Sequence, residues 1–442
     1  MGRVRPTKQE EKEMGSGKSD SKNVTSVMDF NNLMYDITPD LSVCTSRSNK
    51  ESFFQLSEYT TGSVANCILN TGSELIHPRN SYITFETRFP AESTSTNTVS
   101  WNNKDTAYNF FESLVITDRA GNQIERIEDV SILAPSRIWQ ETSQEYLETV
   151  GSNFGYEAGV AAVARSPQGN GTRWCIPLRW MSGLFDIDQL LPAQLCSGLR
   201  LQIRFRTLEE IGVWASAPDA VQDKILISNC RIVLDSCKMT DSVARQLNLR
   251  SANNGLEIEF RTWASQKSTE TGATANVEQK KAVSRAFKAW AHMREESGNP
   301  TWQESQVGTS NGIRLKSLQW RAGNLYFPQQ PLRGTTPGSL LAEVYHNLLQ
   351  MNGKLDCPIR PSAIKRSDYA FGGGVAAYST MGLIPVDLIR STVQEVSGIP
   401  LNNSRVLVLN AEFTDARTRY VRIFMEHLRV ARLFMDNTET EE

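Results

Sequence analysis

Alternation of apolar and polar residues is the main pattern along this chain, and it predicts β-strands. The clearest run sets Leu199, Leu201, Ile203 and Phe205 between polar Arg and Gln residues, which indicates one buried face and one wet face. The same alternation of apolar and polar residues is found at 83–89 and 256–261. Further strands are predicted at 108–117, 224–234, 313–320, 406–413 and 420–433.

Helices are predicted to be few and short. The best candidate covers 337–350, with Thr336 as a cap and Pro337 in the first turn. A second helix is predicted to begin near Ile124, and one further turn covers 188–191. Long polar segments between the strands are typical of end loops of a β-sandwich. They lie at 91–104, 144–171, 207–222, 266–279 and 295–312.

The two halves of the chain share a series of landmarks. Arg119-Ala120-Gly121-Asn122 recurs as Arg321-Ala322-Gly323-Asn324, each after a Ser-Leu pair and each before a predicted helix. Further matches are Ile176-Pro177 with Ile384-Pro385, Ser197-Gly198 with Ser397-Gly398, and Arg231 with Arg429. Their common order, at offsets of 198–208 residues, indicates a duplication of a strand-rich unit that suits one β-sandwich. Gly121 and Gly323 are predicted to serve tight turns.

Charge and composition exclude several classes of protein. Lys plus Arg is 47 and Asp plus Glu is 49, so a surface that binds nucleic acid everywhere is excluded. No apolar stretch is long enough for a membrane-spanning helix. Residues 1–27 are polar with a small positive excess, which predicts an arm that either stays disordered or orders on contact with another surface. The seven cysteines form no C-x-x-C pair and are expected to be buried free thiols.

No pattern in the chain assigns catalytic, cofactor-binding or metal-ligating residues, and an enzyme is not expected. The four histidines are far apart, and Gly372-Gly373-Gly374 lacks the spacing of a phosphate-binding loop. Asp186 and Asp188 are interpreted as a helix-capping turn rather than a metal pair. We expect packing roles, not sugar stacking, for Trp174, Trp180, Trp214, Trp290 and Trp320. The arginines of 417–432 are interpreted as the wet face of a strand, with nucleic-acid contact as the alternative.

One stretch of the chain is similar to a known family. Ile176-Pro177-Leu178 leads to Ser182-Gly183-Leu184-Phe185, then to Leu190-Leu191-Pro192 and Gly198-Leu199-Arg200. This order, with the turn at 119–125, resembles the end of the first jelly roll in double jelly-roll major capsid proteins. These proteins belong to tailless icosahedral DNA viruses, including the adenovirus, virophage and polinton-like groups. Ile384-Pro385 has no Ser-Gly-Leu-Phe counterpart, so the second half departs from the pattern.

The resemblance implies an all-β fold of two tandem antiparallel jelly-roll sandwiches with a few short helices and long end loops. Residues 1–27 would be the arm, 28–245 the first jelly roll and 246–442 the second. Three copies would form a pseudo-hexagonal capsomer of an icosahedral shell. Its partners would be neighbouring capsomers and minor capsid or penton proteins, with no small-molecule substrate. The arm would reach an inner membrane or the genome. The protein would be made in the host cytoplasm or nucleus and reside in the virion.

Two other interpretations remain open at this point. One is a minor capsid or spike-associated β-protein, which would have a single jelly roll and a different stoichiometry. The other is a tandem β-sandwich that binds carbohydrate, which predicts an exposed groove of tryptophans.

Overall fold

The computed structural model describes most of the chain after its first 43 residues. The described residues are 44–90, 93, 97–102, 104–157, 162–165, 171–241, 243, 245–246, 249, 256–296, 307, 314–334, 341–357, 361–366, 382–389, 398–433 and 438–441. The predicted arm at 1–27, the Thr336-Pro337 cap and the Gly372–Gly374 run lie outside these residues.

Twelve of the described strands form the N-terminal sandwich, which we define as residues 44–239. A five-stranded sheet has the order β1-β12-β4-β9 with β2 beside β12, a four-stranded sheet has the order β3-β10-β6-β7, and a small sheet has the order β11-β5-β8. The bounds are β1 Cys44–Phe53, β2 Glu58–Thr60, β3 Val64–Ile68, β4 Leu75–Arg88, β5 Val99–Asn102, β6 Phe111–Thr117, β7 Gln123–Glu128, β8 Ala162–Arg165, β9 Thr172–Pro177, β10 Arg200–Phe205, β11 Val213–Trp214 and β12 Leu226–Met239.

Aromatic side chains join the two larger sheets face to face. The ring of Phe85 on β4 lies 5.5 Å from that of Phe111 on β6, and Tyr59 on β2 lies 6.0 Å from Phe205 on β10. Aromatic pairs of this kind add stability beyond the buried area. The alternation at 199–205 is confirmed, because β10 buries every second residue.

The C-terminal sandwich, residues 256–441, is one continuous eight-stranded sheet organised by two long strands. The first part of β19 pairs with β15 and its second part with β14, while β13 follows it throughout with a register shift after Gly272. Trp290 on β14 packs against Trp263 and Phe424. The bounds are β13 Leu256–Gln279, β14 Val283–Glu295, β15 Leu315–Ala322, β16 Leu325–Arg333, β17 Leu383–Asp387, β18 Ile399–Leu401, β19 Leu407–Leu433 and β20 Thr438–Glu441.

The helices pack at the ends of strands. They are α1 Val130–Glu141, α2 Gln144–Thr149, α3 Ala193–Cys196 and α4 Leu341–Met351, with 3-10 turns at Ala107–Phe110, Gly151–Phe154, Leu178–Trp180, Leu184–Asp186 and Leu208–Glu210. The main predicted helix is confirmed in α4, where Val344 and Leu348 are buried. None of the helices in the described ranges is long and apolar enough to span a membrane.

Several sequence expectations about local structure were wrong. The helix placed near Ile124 is strand β7, and the helix begins six residues later, after Asp129 takes a left-handed conformation. No helical turn forms at 188–191, where the chain bends at 188–189 and Leu191 bridges to Ile76. The polar segment 266–279 is not a loop but half of β13, because β19 supplies hydrogen bonds along its whole length. Segment 144–171 contains α2 and β8.

The duplicated landmarks occupy equivalent places. Arg119–Asn122 closes the hairpin β6–β7 and Arg321–Asn324 closes the hairpin β15–β16, and each hairpin is followed by a helix. Gly121 and Gly323 both have positive φ, so their predicted role in tight turns is confirmed.

One expectation about the cysteines was wrong. Cys67, Cys196 and Cys230 are buried free thiols as predicted, and burial raises the pKa of Cys67 and of Cys230 to about 12. Cys237 on β12, however, is disulfide-bonded. A single sequence does not reveal which thiols the fold brings together.

Candidate functional site between the two sandwiches

A buried carboxylate links the two sandwiches. Glu125 on β7 has no solvent exposure. Its Oε1 accepts hydrogen bonds from Gly183 N at 2.9 Å and from Thr262 Oγ1 at 2.5 Å, and its Oε2 accepts from Ser182 Oγ and from Leu184 N at 3.4 Å. These four hydrogen bonds replace the ones that the carboxylate would make with water in the unfolded chain. Because Thr262 lies on β13, the Glu125 carboxylate of the N-terminal sandwich is hydrogen-bonded to the C-terminal sandwich.

Gly183 allows the sandwiches to approach this closely. A Cβ atom at this position would collide with the carbonyl oxygen of Arg261 on β13. The φ of Gly183 is −70°, so the requirement for glycine comes from contact and not from backbone conformation. The two motifs that carry the family resemblance, one ending at Glu125 and one containing Ser182 and Gly183, are therefore hydrogen-bonded to each other at the junction.

A second part of the junction is a buried ionic cluster around Arg137 of α1. The Arg137 guanidinium donates to Asp186 Oδ2 at 2.7 Å and to Glu141 Oε2 at 3.3 Å, and it lies 5.3 Å from the rings of both Trp180 and Trp263. Glu141 also accepts from Lys288 Nζ on β14, at 3.0 Å. Trp263 and Lys288 belong to the C-terminal sandwich, so the cluster spans the junction.

The cluster keeps its charges despite burial. Burial opposes the charge on Arg137, but Glu141 and Asp186 outweigh it and raise the pKa of Arg137. Burial also opposes the charge on Glu141, but Arg137 and Lys288 together lower its pKa to about 2. The ion pairs therefore persist throughout the neutral range, and removing Arg137 takes one cationic partner from Glu141 and one from Asp186 in a poorly solvated site.

The arginines of β19 form the third part of the junction. Arg422 Nε and Lys267 Nζ contact Asp129 Oδ1 at 3.3 and 2.9 Å, and Arg429 donates to the carbonyl of Gln123 at 3.2 Å. Arg419 is buried within the C-terminal sandwich, against Glu295 at 3.2 Å. The interpretation of this segment as a wet strand face was thus wrong for Arg419, Arg422 and Arg429. The N-terminal sandwich or the strand's own neighbours cover them.

The end of α1 is capped by the C-terminal sandwich. The Ala363 N–H donates to the carbonyl of Thr142 at 2.7 Å, and the Ile364 N–H donates to the carbonyl of Trp139 at 3.1 Å. Asn352, just after α4, donates to Gln140 Oε1 at 3.2 Å. Carbonyls at a helix C-terminus lack partners within the helix, so these bonds couple the folding of α1 to the presence of the other sandwich.

A buried histidine lies near the same junction. His292 on β14 is fully buried, and its Nε2 is 3.0 Å from the carbonyl of Val307, whose N–H donates to Asp105 of the N-terminal sandwich at 2.9 Å. Burial lowers the pKa of His292 to about 4, and the positive charges of Arg422 and Arg294 act in the same direction. His292 is therefore neutral in the folded protein at any pH well above 4.

We expect acid to weaken the fold through His292. Between about pH 6.5 and pH 4 the unfolded chain binds a proton on this residue and the folded chain does not, so the free energy of unfolding falls as the pH falls, by at most about 3 kcal/mol. Urea unfolding at fixed protein concentration across this range measures the slope. His292→Gln should flatten it, while His346→Gln, on the exposed face of α4, should leave it unchanged. An unaltered slope in His292→Gln would contradict this assignment.

The other candidate residues take structural positions. The sequence predicted that Asp186 and Asp188 form a helix-capping turn, and this was wrong, because the next helix begins after Pro192. They pair with arginines, Asp186 with Arg137 and Arg79 and Asp188 with Arg79. No group of three or more His, Cys, Asp and Glu residues able to hold a metal occurs within the described ranges.

The tryptophans are placed as expected. All five tryptophans named from the sequence are buried, as are Trp139 and Trp263. Packing roles are therefore confirmed for these seven, and none of them offers the exposed stacking surface that a carbohydrate-binding sandwich requires.

Sequence reasoning did not single out Glu125, Asp129, Arg137 or Thr262. The available signal was the pair of family-like motifs, each of which contains a junction residue. Chemically, the junction joins one sandwich to the other through hydrogen bonds and ion pairs, from Thr262 to Glu125, from Lys288 to Glu141 and from Arg422 to Asp129.

The fold is shared with viral capsid proteins of known structure. The PBCV-1 virus capsid chain matches with a TM-score of 0.58 at 10% identity, covering 90% of this chain and 96% of that one. PBCV-1 VP54, fitted into a reconstruction of the virophage Sputnik, gives 0.57 at 10% identity with the same coverage. The Faustovirus major capsid protein gives 0.55 at 8% identity, covering 88% and 90%. Comparisons with family models and with curated proteins found no match. The predicted double jelly-roll fold is confirmed.

Proposed function

We propose that this chain is a major capsid protein that builds the shell of a virus. The observation that carries the proposal is the buried junction, which holds two jelly rolls side by side as one unit. The likeness in fold supports it, since it extends over nine-tenths of this chain and of a capsid chain. The role is structural, and we propose no catalytic activity and no cofactor.

The assembled unit is a trimer. Three chains with two sandwiches each give six similar bodies around an axis, which is the shape that tiles a near-hexagonal lattice. Closed rotational symmetry sets the number of copies within the unit, and weaker contacts between units allow the shell to curve into an icosahedron. Neighbouring capsomers and minor capsid or penton proteins are the expected partners, and the virion is the expected location.

The division of the chain follows from the pairing of strands. We propose an arm at 1–27, a first jelly roll at 28–245 and a second at 246–442. Each described strand up to Met239 pairs within the first set, and each from Leu256 onward pairs within the second, which supports a boundary between them. The arm would contact the inner side of the shell, where neighbours, a membrane or the genome are reached.

Mass in solution tests the proposal. Light scattering after size exclusion should give 148.5 kDa, which is three times the 49.5 kDa of one chain, and negative stain should show hexagonal particles. A species that stays at 49.5 kDa when concentrated to the micromolar range would contradict the capsomer. Screening against glycans would then test the carbohydrate-binding alternative.

A further inference from the structure

The duplication lets the strands of the two sandwiches be matched position by position. Arg231 on β12 lies opposite Phe53, and its counterpart Arg429 on β19 lies opposite Phe260. Three residues earlier, Ser228 lies between Glu58 and Glu86. The counterpart of Ser228 is Glu426, which lies between Trp263 and Lys288. The surface around Phe53, Glu58 and Glu86 is thus the N-terminal twin of the surface around Trp263 and Lys288.

These twin surfaces differ in one respect. The C-terminal one is covered by the N-terminal sandwich, through the contacts of Trp263 with Arg137, of Lys288 with Glu141 and of Arg429 with Gln123. Within the part of the chain that the structure describes, the N-terminal one is exposed. Phe53 is 65% exposed and Leu56 is 60% exposed, and both line an open pocket of about 420 Å³ together with Glu86, Arg173 and Arg231. We call these five residues the N-face.

The covering element has a twin as well. Hairpin strand β7 covers the C-terminal sandwich, and its counterpart after the Gly323 turn is β16, an edge strand with no sandwich against it among the described residues of this chain. Leu325 and Tyr326 on β16 are both exposed, Tyr326 by 44%. Counting from the two turns, the position of Glu125 is taken by Phe327. We call Leu325, Tyr326 and Phe327 the C-face.

The chemistry of the two faces is complementary. At the junction within the chain, polar Glu125 meets polar Thr262. Among the described residues, Leu325 and Tyr326 of the C-face are exposed apolar side chains, as are Phe53 and Leu56 of the N-face, whereas Phe327 packs partly against its own core. Clusters of exposed aromatic and aliphatic side chains beside polar residues are typical of protein interfaces.

We propose that the C-face of one copy docks on the N-face of a second copy and repeats the geometry of the junction within the chain. The inference rests on the proposed capsomer and names the residues that close it. The contact is heterologous, because different patches meet, and such a contact generates a ring where its rotation closes. Each chain fills two of six positions, and the ring closes after three copies.

Charge placed on either face tests the inference. Phe53→Asp with Leu56→Asp disrupts the N-face, and Tyr326→Asp disrupts the C-face. Removing a central apolar anchor should weaken association at least about 30-fold, which light scattering over a dilution series measures. Val221→Asp is the matched control, since Val221 is 74% exposed and lies outside both faces. Its association should equal that of the wild type.

The possible results distinguish a failure of the proposed interface from a failure of the proposed capsomer. Far-UV circular dichroism should be unchanged in every variant because the mutated side chains are exposed, and Phe53→Ser with Leu56→Ser provides a milder second pair. Trimers that persist in both face variants would overturn the interface and leave the capsomer intact. A wild-type protein that is itself monomeric would overturn both.

Discussion

Replacing Arg137 by methionine is expected to destabilise the protein by about 3–5 kcal/mol, the usual effect of removing one partner from a buried ion pair. Arg137→Met keeps most of the side-chain volume between Trp180 and Trp263, so the lost charge dominates the effect. Asp186 and Glu141 lose a donor at 2.7 and 3.3 Å respectively. Urea unfolding at pH 7 and one fixed protein concentration measures the change.

Two further variants test whether the loss of the Arg137 ion pairs causes the destabilisation. Arg126→Met removes an arginine whose pair with Glu128 is exposed, and it should change stability by less than about 1 kcal/mol. Adding Asp186→Asn to Arg137→Met removes the carboxylate that loses its 2.7 Å bond to Arg137 and keeps only a 3.6 Å pair with Arg79, so it should restore part of the loss. If Arg137→Met is as stable as Arg126→Met, the cluster does not hold the sandwiches together.

Gly183→Ala is the second change with a large expected effect. The new methyl group collides with the carbonyl of Arg261, so either the sandwiches move apart or the turn at 182–184 shifts and its bonds to Glu125 break. Overpacking and an undersatisfied buried carboxylate each cost about 1–3 kcal/mol, so a loss of at least about 1 kcal/mol, and up to about 6 kcal/mol where both effects act, is expected. The fraction of correctly sized trimer should fall as well, because the angle between the sandwiches changes.

A glycine with open surroundings provides the control for this variant. Gly72 has a φ of +61°, and no atom lies within 4 Å of the position that an added methyl group would take, so Gly72→Ala reports backbone strain alone, about 1 kcal/mol. Calorimetric melting and light scattering on both variants separate the two effects. Equal melting temperatures would show that the close approach at Gly183 is unimportant.

The strands with one apolar face could be predicted from the sequence, and those without one could not. In 199–205 the two faces differ in polarity, so the period of two reveals the strand. In 266–279 most residues are polar on both faces, and the strand exists because β19 offers backbone partners about 150 residues away. Alternation of apolar and polar residues indicates that one face of a strand is buried. It does not indicate which other strand provides the backbone hydrogen bonds.

The junction escaped prediction for a related reason. An arginine such as Arg422 is polar whether it faces water or a partner, and its partner Asp129 is 293 residues distant in the chain. Glu125 and Gly183 were within reach, since both belong to motifs already noted as family-like. What was missing was the contact of each with β13, which only the packed structure provides.

The position of β19 determines the order in which the chain can fold. This strand lies between β13, β14 and β15, so the C-terminal sandwich cannot close until residues near 433 have left the ribosome. The strands of the N-terminal sandwich are all synthesised by residue 239 and can fold beforehand, although contacts this distant in sequence form slowly. A nascent chain therefore exposes half of the junction before the other half exists. Chaperone binding during translation is expected to concentrate on α1 and β7.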